Sequence, residues 1–394
     1  MSGGLLSFIC FSVNNWEKRM ARKQQFMRYL SLRRDVQNVI YVEPPLNLWF
    51  IILKLPSLMR DADRRRRVKR ALSFRGENLS GKLSVFTPLT LIPFGYRWRW
   101  IYNINTRITA MTAKLQMKRL SFKRTVVWLY HPFDSLYMRI FGRAALTVFD
   151  WAEDWAQYFI EYPPAERKKI TAAEEYMVKS ASIVTTVSKP LLERALLLNR
   201  RSYQVLDGVS TELFTNIPAA PGDMKQAKSP VIGYVGTITD RFDTGLACAI
   251  AREFAHGSLV LVGQLHKNRV DVSPLTEFKN VYFTGEKAYA ELPGYLARFD
   301  ICILPYRTGS FSSPPTKLFD YLASGKPVVS VSFPEADRFD GLVLFADTNE
   351  EFIRCIKQAL ESDTAGRKNS RLAMAAENSW QARAGEIMNL LESE

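Results

Sequence analysis

The feature that most constrains this chain is an alternation of short apolar segments with amphipathic helical stretches, which runs twice along its 394 residues. The short segments are rich in β-branched and aromatic residues, as buried strands are. In the first half they are Leu5–Phe11, Val36–Val42, Leu83–Phe86, Thr125–Leu129, Leu146–Phe149, Ile183–Val187 and Tyr203–Leu206. Helical stretches such as Glu17–Arg34, Arg107–Leu120 and Ala165–Lys179 separate most of them. Strands that alternate with helices in this way predict a parallel sheet covered on both faces.

The alternation stops at residues 208–229, whose prolines and few large apolar side chains predict a linker. After it, strands are predicted at Val231–Val235, Leu259–Val262, Val281–Phe283, Ile301–Leu304, Val328–Val331 and Leu342–Phe345. Helices are predicted at Gly245–Phe254, Tyr289–Arg298, Lys317–Ala323 and Glu350–Leu360. The sequence therefore predicts two doubly wound α/β domains, residues 1–207 and 230–394. Ligands are expected at the carboxyl ends of the strands and in the cleft between the domains.

Positive charge is concentrated in the first 150 residues. They hold 27 Lys and Arg against 8 Asp and Glu, a net charge of +19, whereas the remainder holds 27 against 31, a net charge of −4. This asymmetry favours a polyanionic partner, either nucleic acid or an anionic membrane surface. A solvated basic surface is the alternative.

Two segments of this basic region also carry large apolar side chains. In the first, Leu48–Ile52 precedes Arg60 and the basic run Arg64–Arg70; in the second, from Tyr96 to Arg124, tryptophans alternate with arginines. Both are typical of a protein at a membrane surface, and a basic helix over a core strand is the alternative. The longest apolar stretch, Leu46–Met59, is shorter than the roughly 20 residues that cross a bilayer. With no recognisable signal peptide, we expect a cytoplasmic protein attached peripherally to the inner face of the plasma membrane.

Neither disulfides nor metals are indicated. The four cysteines and three histidines are widely separated, with no spacing typical of metal ligands. Asp61-Ala62-Asp63 resembles a metal-binding acidic motif, but it lies in the arginine run and is interpreted as a partial counterion. We expect a reducing compartment and no bound metal.

Two loops of the second predicted domain are suited to phosphate. Gly233–Arg241 leaves a strand in a glycine turn, so that backbone amides can approach an anion. The loop lacks the GxGxxG pattern, and no acidic residue follows about 20 positions later, which disfavours a nicotinamide-dependent dehydrogenase.

The second loop, Ser312–Pro315, leads into a predicted helix with Lys317 in its first turn. The helix dipole, exposed amides and this ammonium would together favour a phosphate. Asp320 follows on nearly the same face and can accept hydrogen bonds from hydroxyls such as those of ribose. Gly325 is expected to end the helix. A capped core helix is the alternative, but it does not explain a cation at the positive end of a helix dipole.

The order of these features resembles the nucleotide-sugar-binding half of GT-B glycosyltransferases, in particular the family 4 or group 1 type. The matching segments read GYVGTITDRFD, LVLVGQ, VYFTGEKAYAELPGYLARFDICILPY and SPPTKLFDYLASGKPVV, with weaker matches at VIYVEPP, VFDWAEDWAQY, ASIVTTVSKPLLERA and LDGVSTELF. The resemblance implies an α/β GT-B fold with two Rossmann-like domains. It also implies metal-independent sugar transfer from a nucleoside-diphosphate sugar without a cofactor, with UDP or GDP as the expected nucleotide.

The resemblance further implies roles for individual residues. Lys317 would contact the diphosphate and Asp320 the ribose, while Gly236 and Thr237 would line the phosphate loop. Glu286 and Lys287 would lie near the base. The tight loop at the helix start and its backbone donors would come from Ser313, Pro314 and Thr316.

Two positions depart from the family pattern. Many members carry paired acidic residues eight positions apart, but eight positions before Asp320 this chain has Ser312. Many also carry an Arg and a Lys in the first glycine loop, where this chain has Thr237 and Phe242; Arg241 is the candidate substitute. These departures resemble a subgroup associated with bacterial exopolysaccharide and teichuronic acid assembly.

An inverting transferase would also need a base that removes the acceptor proton. Asp150, Glu153 and Asp154 follow a strand of the first domain and are expected to face the cleft. Asp154 or Glu153 is the first candidate and Asp150 the next; acids that merely favour a helix start are the alternative. His131, after another strand, is the remaining candidate, although a lone histidine is usually structural.

We therefore predict a peripheral membrane glycosyltransferase that acts on a lipid-linked or other saccharide acceptor in bacterial cell-surface or exopolysaccharide biosynthesis. The basic first domain would bind the acceptor, and the last helix is a candidate to pack back on that domain. Two alternatives stay open. One is a basic nucleic-acid-binding protein, although no known nucleic-acid motif is visible; the other is a GT-B-like nucleotide-binding protein without catalysis.

Overall fold

A computed structural model describes residues 4–16, 21–93, 98–142, 145–311 and 313–393. The chain forms two compact units, Met1–Val205 with Ala384–Glu394, and Leu206–Arg383. The segment 208–229, predicted as a linker, belongs to the second unit instead. Met224 is buried in the core of that unit, and Asp223 forms an ion pair with Lys287. Two well-placed side chains therefore anchor a segment that is otherwise poor in apolar residues.

The first unit is built on an eight-stranded sheet. The strands of this unit are β1 (Leu6–Phe11), β2 (Val36–Val42), β3 (Leu46–Asn47), β4 (Glu77–Ser80), β5 (Leu83–Phe86), β6 (Leu89–Thr90), β7 (Arg124–Leu129), β8 (Leu146–Trp151), β9 (Ile183–Thr186) and β10 (Ser202–Gln204). The sheet has the order β10-β9-β8-β7-β1-β2-β5-β4 and is parallel except for its edge pair β4–β5. The separate pair β3–β6 is also parallel. All seven strands predicted for this half occur, which confirms the parallel sheet.

The first unit also contains helices. They are α1 (Arg22–Ser31), α2 (Leu48–Leu58), α3 (Ala62–Ser73), α4 (Arg99–Arg119), α5 (Ser135–Phe141), α6 (Trp155–Tyr158), α7 (Pro164–Ser180) and α8 (Lys189–Leu196). Part of the predicted helix Glu17–Arg34 and two residues of the tryptophan-arginine segment, Tyr96 and Arg97, lie outside the described residues. The apolar stretch at residues 46–59 contains a helix, which begins after Asn47, whose side chain accepts hydrogen bonds from the backbone amides of Trp49 and Phe50.

The second unit contains a six-stranded, fully parallel sheet. Its strands are β11 (Val231–Val235), β12 (Ser258–Val262), β13 (Val281–Gly285), β14 (Ile301–Leu304), β15 (Val328–Ser330) and β16 (Val343–Phe345), in the order β13-β12-β11-β14-β15-β16. The helices that follow along the chain are α9 (Thr244–Glu253), α10 (Leu292–Arg298), α11 (Thr316–Ser324), α12 (Asn349–Ser362), α13 (Ala365–Glu377) and α14 (Trp380–Glu392). All six strands predicted for this half are confirmed. Gly325 ends α11 with a φ of 70°, as expected of a glycine C-cap.

Each sheet has one point where the direction of winding reverses. In the first unit β1 lies between β2 and β7, and in the second β11 lies between β12 and β14. In doubly wound sheets the carboxyl ends of the strands at such a point open a crevice that binds ligands. The loops after these strands are therefore the places where a functional site is expected.

Two kinds of feature are absent from the part of the chain that the structure describes. None of its helices has the length and apolar character needed to cross a membrane. No group of three or more His, Cys, Asp or Glu side chains is placed to hold a metal ion.

Candidate functional site

The glycine loop after β11 lies directly against the first turn of α11. A methyl group added to Gly236 would lie 2.1 Å from Cε and 2.9 Å from Nζ of Lys317. The φ of Gly236 is 153°, a conformation that residues with side chains rarely adopt. Only glycine fits at this position while Lys317 passes across it. The structure thus brings together the two phosphate-loop candidates of the sequence.

Lys317 supplies positive charge at the crevice of the second unit. Its Nζ lies 5.9 Å from the ring centroid of Tyr306, which follows β14. Among the described residues no carboxylate forms an ion pair with it. The lysine stands in the first turn of a nine-residue helix, where backbone amides lack intrahelical partners. An ammonium and these amides together form a site suited to a phosphate group.

Asp320 lies one turn further along α11 and is almost fully buried. One carboxylate oxygen, Oδ1, accepts a 2.7 Å hydrogen bond from the hydroxyl of Tyr289. Burial raises the pKa of Asp320 to about 7, even though Tyr289 and the charge of Lys317 both favour the ionised form. A buried carboxyl group whose pKa lies near neutral pH is typical of functional sites, because burial of such a group is costly for the fold.

Replacement of Asp320 with Asn is expected to change the pH dependence of stability. Because the folded-state pKa lies above the unfolded value of 3.8, the native state binds this proton more tightly, so the free energy of unfolding falls as pH rises from about 4 to about 7. The Asn variant loses this contribution and should gain up to about 4 kcal/mol relative to wild type between pH 4 and 8. Urea unfolding of both proteins across this range measures the difference. A difference that does not vary with pH would contradict the assigned pKa.

Two hydrogen bonds fix the start of α11. The hydroxyl of Tyr321 accepts a 2.7 Å hydrogen bond from the backbone N–H of Val235, which ties the helix to the end of β11. The hydroxyl of Thr316 donates to Asp207 at 2.7 Å. Since Tyr321 is fully buried, it sets the spacing between the glycine loop and the helix that carries Lys317. The site is therefore largely preformed.

The other predicted residues of this region follow β11 or precede α11. The backbone carbonyl of Thr237 accepts a hydrogen bond from Tyr234 at 2.9 Å. The exposed guanidinium of Arg241 lies over the ring of Phe311 at 5.5 Å. Pro314 is buried and Ser313 half-buried at the start of α11, whereas Ser312 lies outside the described residues.

Glu286 and Lys287, predicted to lie near the base, follow β13. Glu286 is exposed. Lys287 forms an ion pair with Asp223 at 2.7 Å. Hydrogen bonds of Lys287 with Asp223 and Tyr295 raise the pKa of the lysine. A role for Lys287 in binding a nucleotide base therefore has to compete with its contact to residues 208–229.

Asp150, a candidate base, is completely buried at the end of β8. Its carboxylate accepts hydrogen bonds from Arg22 at 2.9 and 3.0 Å and from the hydroxyl of Thr185 at 2.8 Å. These contacts occupy both oxygens, which leaves little room for an acceptor hydroxyl. The geometry is that of a structural ion pair at the crevice of the first unit.

Replacement of Asp150 with Ala is expected to destabilise the fold by about 3–5 kcal/mol, because it removes the buried carboxylate that forms the ion pair with Arg22. Urea unfolding measures this loss, with the exposed Glu166, in the first turn of α7, changed to Ala as the matched control. A variant of wild-type stability that lacks activity would instead favour the role of a catalytic base.

The two remaining acids differ in exposure. Asp154 caps α6 by accepting from the backbone N–H of Gln157 at 3.2 Å, and it forms a 2.5 Å ion pair with Arg194. Glu153 is the most exposed of the three candidate acids. Asp154 therefore fits the alternative interpretation, in which an acid stabilises the start of a helix. Glu153 remains accessible to solvent.

The Nδ1 of His131 already accepts a local hydrogen bond, which disfavours a role as a base. Its Nδ1 accepts from the backbone N–H of Phe133 at 3.2 Å, and its ring lies 4.5 Å from that of Trp155. Burial, and to a lesser degree the charge of Lys23, lowers the pKa of His131 to about 4. The imidazole is therefore neutral at pH 7, with its proton on Nε2.

Three residues near these crevices were missed by the sequence analysis. Lys23, in the first turn of α1, is buried with its Nζ 5.0 Å from the ring centroid of Tyr130, and burial lowers its pKa. Tyr289 and Tyr321 position Asp320 and the glycine loop. No spacing in the sequence marks any of them, because the pattern of residue types does not show whether a lysine or a tyrosine is buried beside a functional group.

Comparisons with known proteins bear on the fold. Residues 229–362 match the family described as Glycosyl transferases group 1. TuaH of Bacillus subtilis, which carries the name teichuronic acid biosynthesis glycosyltransferase, is 27% identical over 236 residues, which span 56% of this chain and 59% of TuaH. Among solved structures, Anabaena HepE with UDP-glucose superposes with a TM-score of 0.67 at 13% identity over 98% of this chain and 100% of HepE. Sucrose-phosphate synthase from Thermosynechococcus elongatus gives 0.64 at 15% identity over 98% of both chains. These likenesses confirm the predicted GT-B fold.

Proposed function

We propose that this chain, whose residues 229–362 match the glycosyl transferases group 1 family, is a glycosyltransferase whose second unit binds a nucleoside-diphosphate sugar. The observation that carries the proposal is the contact of Lys317 with Gly236 at the start of α11. It places an ammonium and helix amides together at the reversal point of a doubly wound sheet, where ligands bind.

The proposed chemistry assigns each residue one task. Breakage of the bond between the anomeric carbon and the diphosphate oxygen leaves negative charge on the departing nucleotide. Lys317 and the amides at the start of α11 stabilise that charge, and they do so best because they are held in place before the reaction. Asp320 accepts hydrogen bonds from the ribose hydroxyls through Oδ2, to which no described residue donates. The raised pKa of Asp320 then predicts that ribose binding releases a proton near pH 7.

UDP is the first nucleotide to test. Support comes from solved structures with the same fold that contain UDP or UDP-glucose. GDP is the second candidate.

The acceptor proposed for this enzyme is a lipid-linked glycan of bacterial cell-surface polysaccharide synthesis. The likeness to TuaH supports this pathway, and the net charge of +19 in residues 1–150 supports an anionic partner for the first unit. Glu153 is the proposed base, because it is more exposed than Asp150 and Asp154.

The test is a transfer assay with the full chain. UDP-sugars and GDP-sugars are incubated with a bacterial lipid extract, and both nucleoside-diphosphate release and labelled lipid product are measured. We expect release from one nucleotide class that depends on the extract and is lost in Lys317→Met but kept in the control Lys279→Met, whose lysine is exposed at the amino end of β13. Nucleotide binding without turnover of any sugar would favour the non-catalytic alternative.

A further inference from the structure

An exposed apolar face runs along α2 of the first unit. Of its eleven residues only Ile51 and Leu58 are buried. Six large apolar side chains on the helix and its C-cap are exposed by 41% to 76%: Trp49, Phe50, Ile52, Leu53, Leu55 and Met59. A contiguous apolar surface of this kind marks an interaction site, because a soluble surface normally carries such residues singly.

The basic run beside α2 divides into cations used by the fold and cations directed outward. Arg66 and Arg70 form ion pairs with Glu77, and Arg67 donates to the carbonyl of Pro44. By contrast, a second set of cations is exposed and has no carboxylate partner among the described residues: Lys54, Arg60, Arg64, Arg65 and Lys69. The hairpin of α2 and α3 therefore combines an apolar face with five outward positive charges.

A cavity of about 400 Å³ lies between the two helices. Phe50 and Leu58 of α2 and Val68 of α3 line it, together with Arg64, Arg67 and the carboxylates of Asp61 and Asp63.

We infer that the α2–α3 hairpin is a membrane-binding element that inserts the apolar face of α2 into the interface of an anionic bilayer. The five cations then contact lipid phosphates. A second copy of this chain fits less well, since it would bring two sets of five like charges together. Nucleic acid would neutralise the cations but leave the apolar face in water. The inference goes beyond the proposed function and does not rest on the sugar site, because vesicle binding is measured without any nucleotide.

Vesicle flotation of the full chain tests it. Phosphatidylcholine vesicles with and without phosphatidylglycerol are compared at low and high salt. We expect at least tenfold stronger binding to the anionic vesicles, with a loss of binding at high salt because exposed charges are screened. Equal binding to both vesicle types would overturn the role of the cations.

Variants separate the two parts of the surface. Ile52→Ser with Leu53→Ser should weaken vesicle binding more than tenfold, and Arg64→Gln with Arg65→Gln should weaken it and reduce its salt dependence. The matched controls are Leu197→Ser and Lys168→Gln, exposed residues of the first unit outside the hairpin. All variants change exposed side chains, so an unchanged thermal midpoint verifies the fold. Binding to DNA or dimerisation without vesicle binding would overturn the inference.

Discussion

Replacement of Lys317 with methionine is expected to lower kcat/KM for the sugar donor by about 100- to 1,000-fold while the fold stays intact. Methionine keeps most of the length of the side chain that packs on Gly236 but removes the charge. Loss of one preorganised group that stabilises developing negative charge has an effect of this size. The ammonium forms no ion pair with a carboxylate among the described residues, and the buried Asp320, whose ionised form it favours, can take up a proton near neutral pH when that charge is lost, so stability should change little.

The measurement is steady-state kinetics with the donor identified by the transfer assay, together with a thermal midpoint. Lys279→Met is the matched control, since it removes a positive charge from the opposite end of the same sheet. If Lys317→Met retained wild-type kcat/KM, Lys317 would be a surface lysine of a core helix, and the assignment of the diphosphate site would fail.

Replacement of Gly236 with alanine is expected to abolish detectable nucleotide binding and to destabilise the fold. The added methyl group would meet the Lys317 side chain at 2.1 Å, so the lysine has to leave its place. The φ of 153° is also unfavourable for alanine. Together these effects should lower the free energy of unfolding by about 1–3 kcal/mol.

Calorimetric titration and urea unfolding measure the two effects separately. Gly222→Ala is the control, because a methyl group there meets nothing within 4 Å and Gly222 lacks a positive φ. Normal nucleotide affinity in Gly236→Ala would show that the glycine loop and Lys317 do not act as one site.

The fold could be predicted from the sequence because most of its strands are short, apolar and buried, with the partly exposed β4 and β13 as exceptions. The helix α11 and its glycine C-cap were predictable for the same reason: local residues, the turn before Thr316 and Gly325, define its ends. Residues 208–229 could not be placed, since Met224 and Asp223 find their partners far away in sequence.

The candidate site was predictable only in part. Lys317, Asp320 and Gly236 stand at positions where a helix start and a strand end require particular chemistry. The environments of Asp150 and His131 depend on partners that no local pattern specifies, namely Arg22 at 128 positions from Asp150 and the ring of Trp155. Composition marked the basic first unit, but only the structure separates Arg66, Arg67 and Arg70 from the outward-facing cations.

The most direct test of the central claim is calorimetric titration of the purified full chain with UDP, GDP, dTDP, CDP and NAD. We expect saturable binding of one nucleoside diphosphate at one site per chain, with no binding of NAD, and loss of that binding in Lys317→Met but not in Lys279→Met. Failure of every nucleoside diphosphate to bind, or equal affinity in wild type and Lys317→Met, would contradict a nucleotide-sugar site at the start of α11.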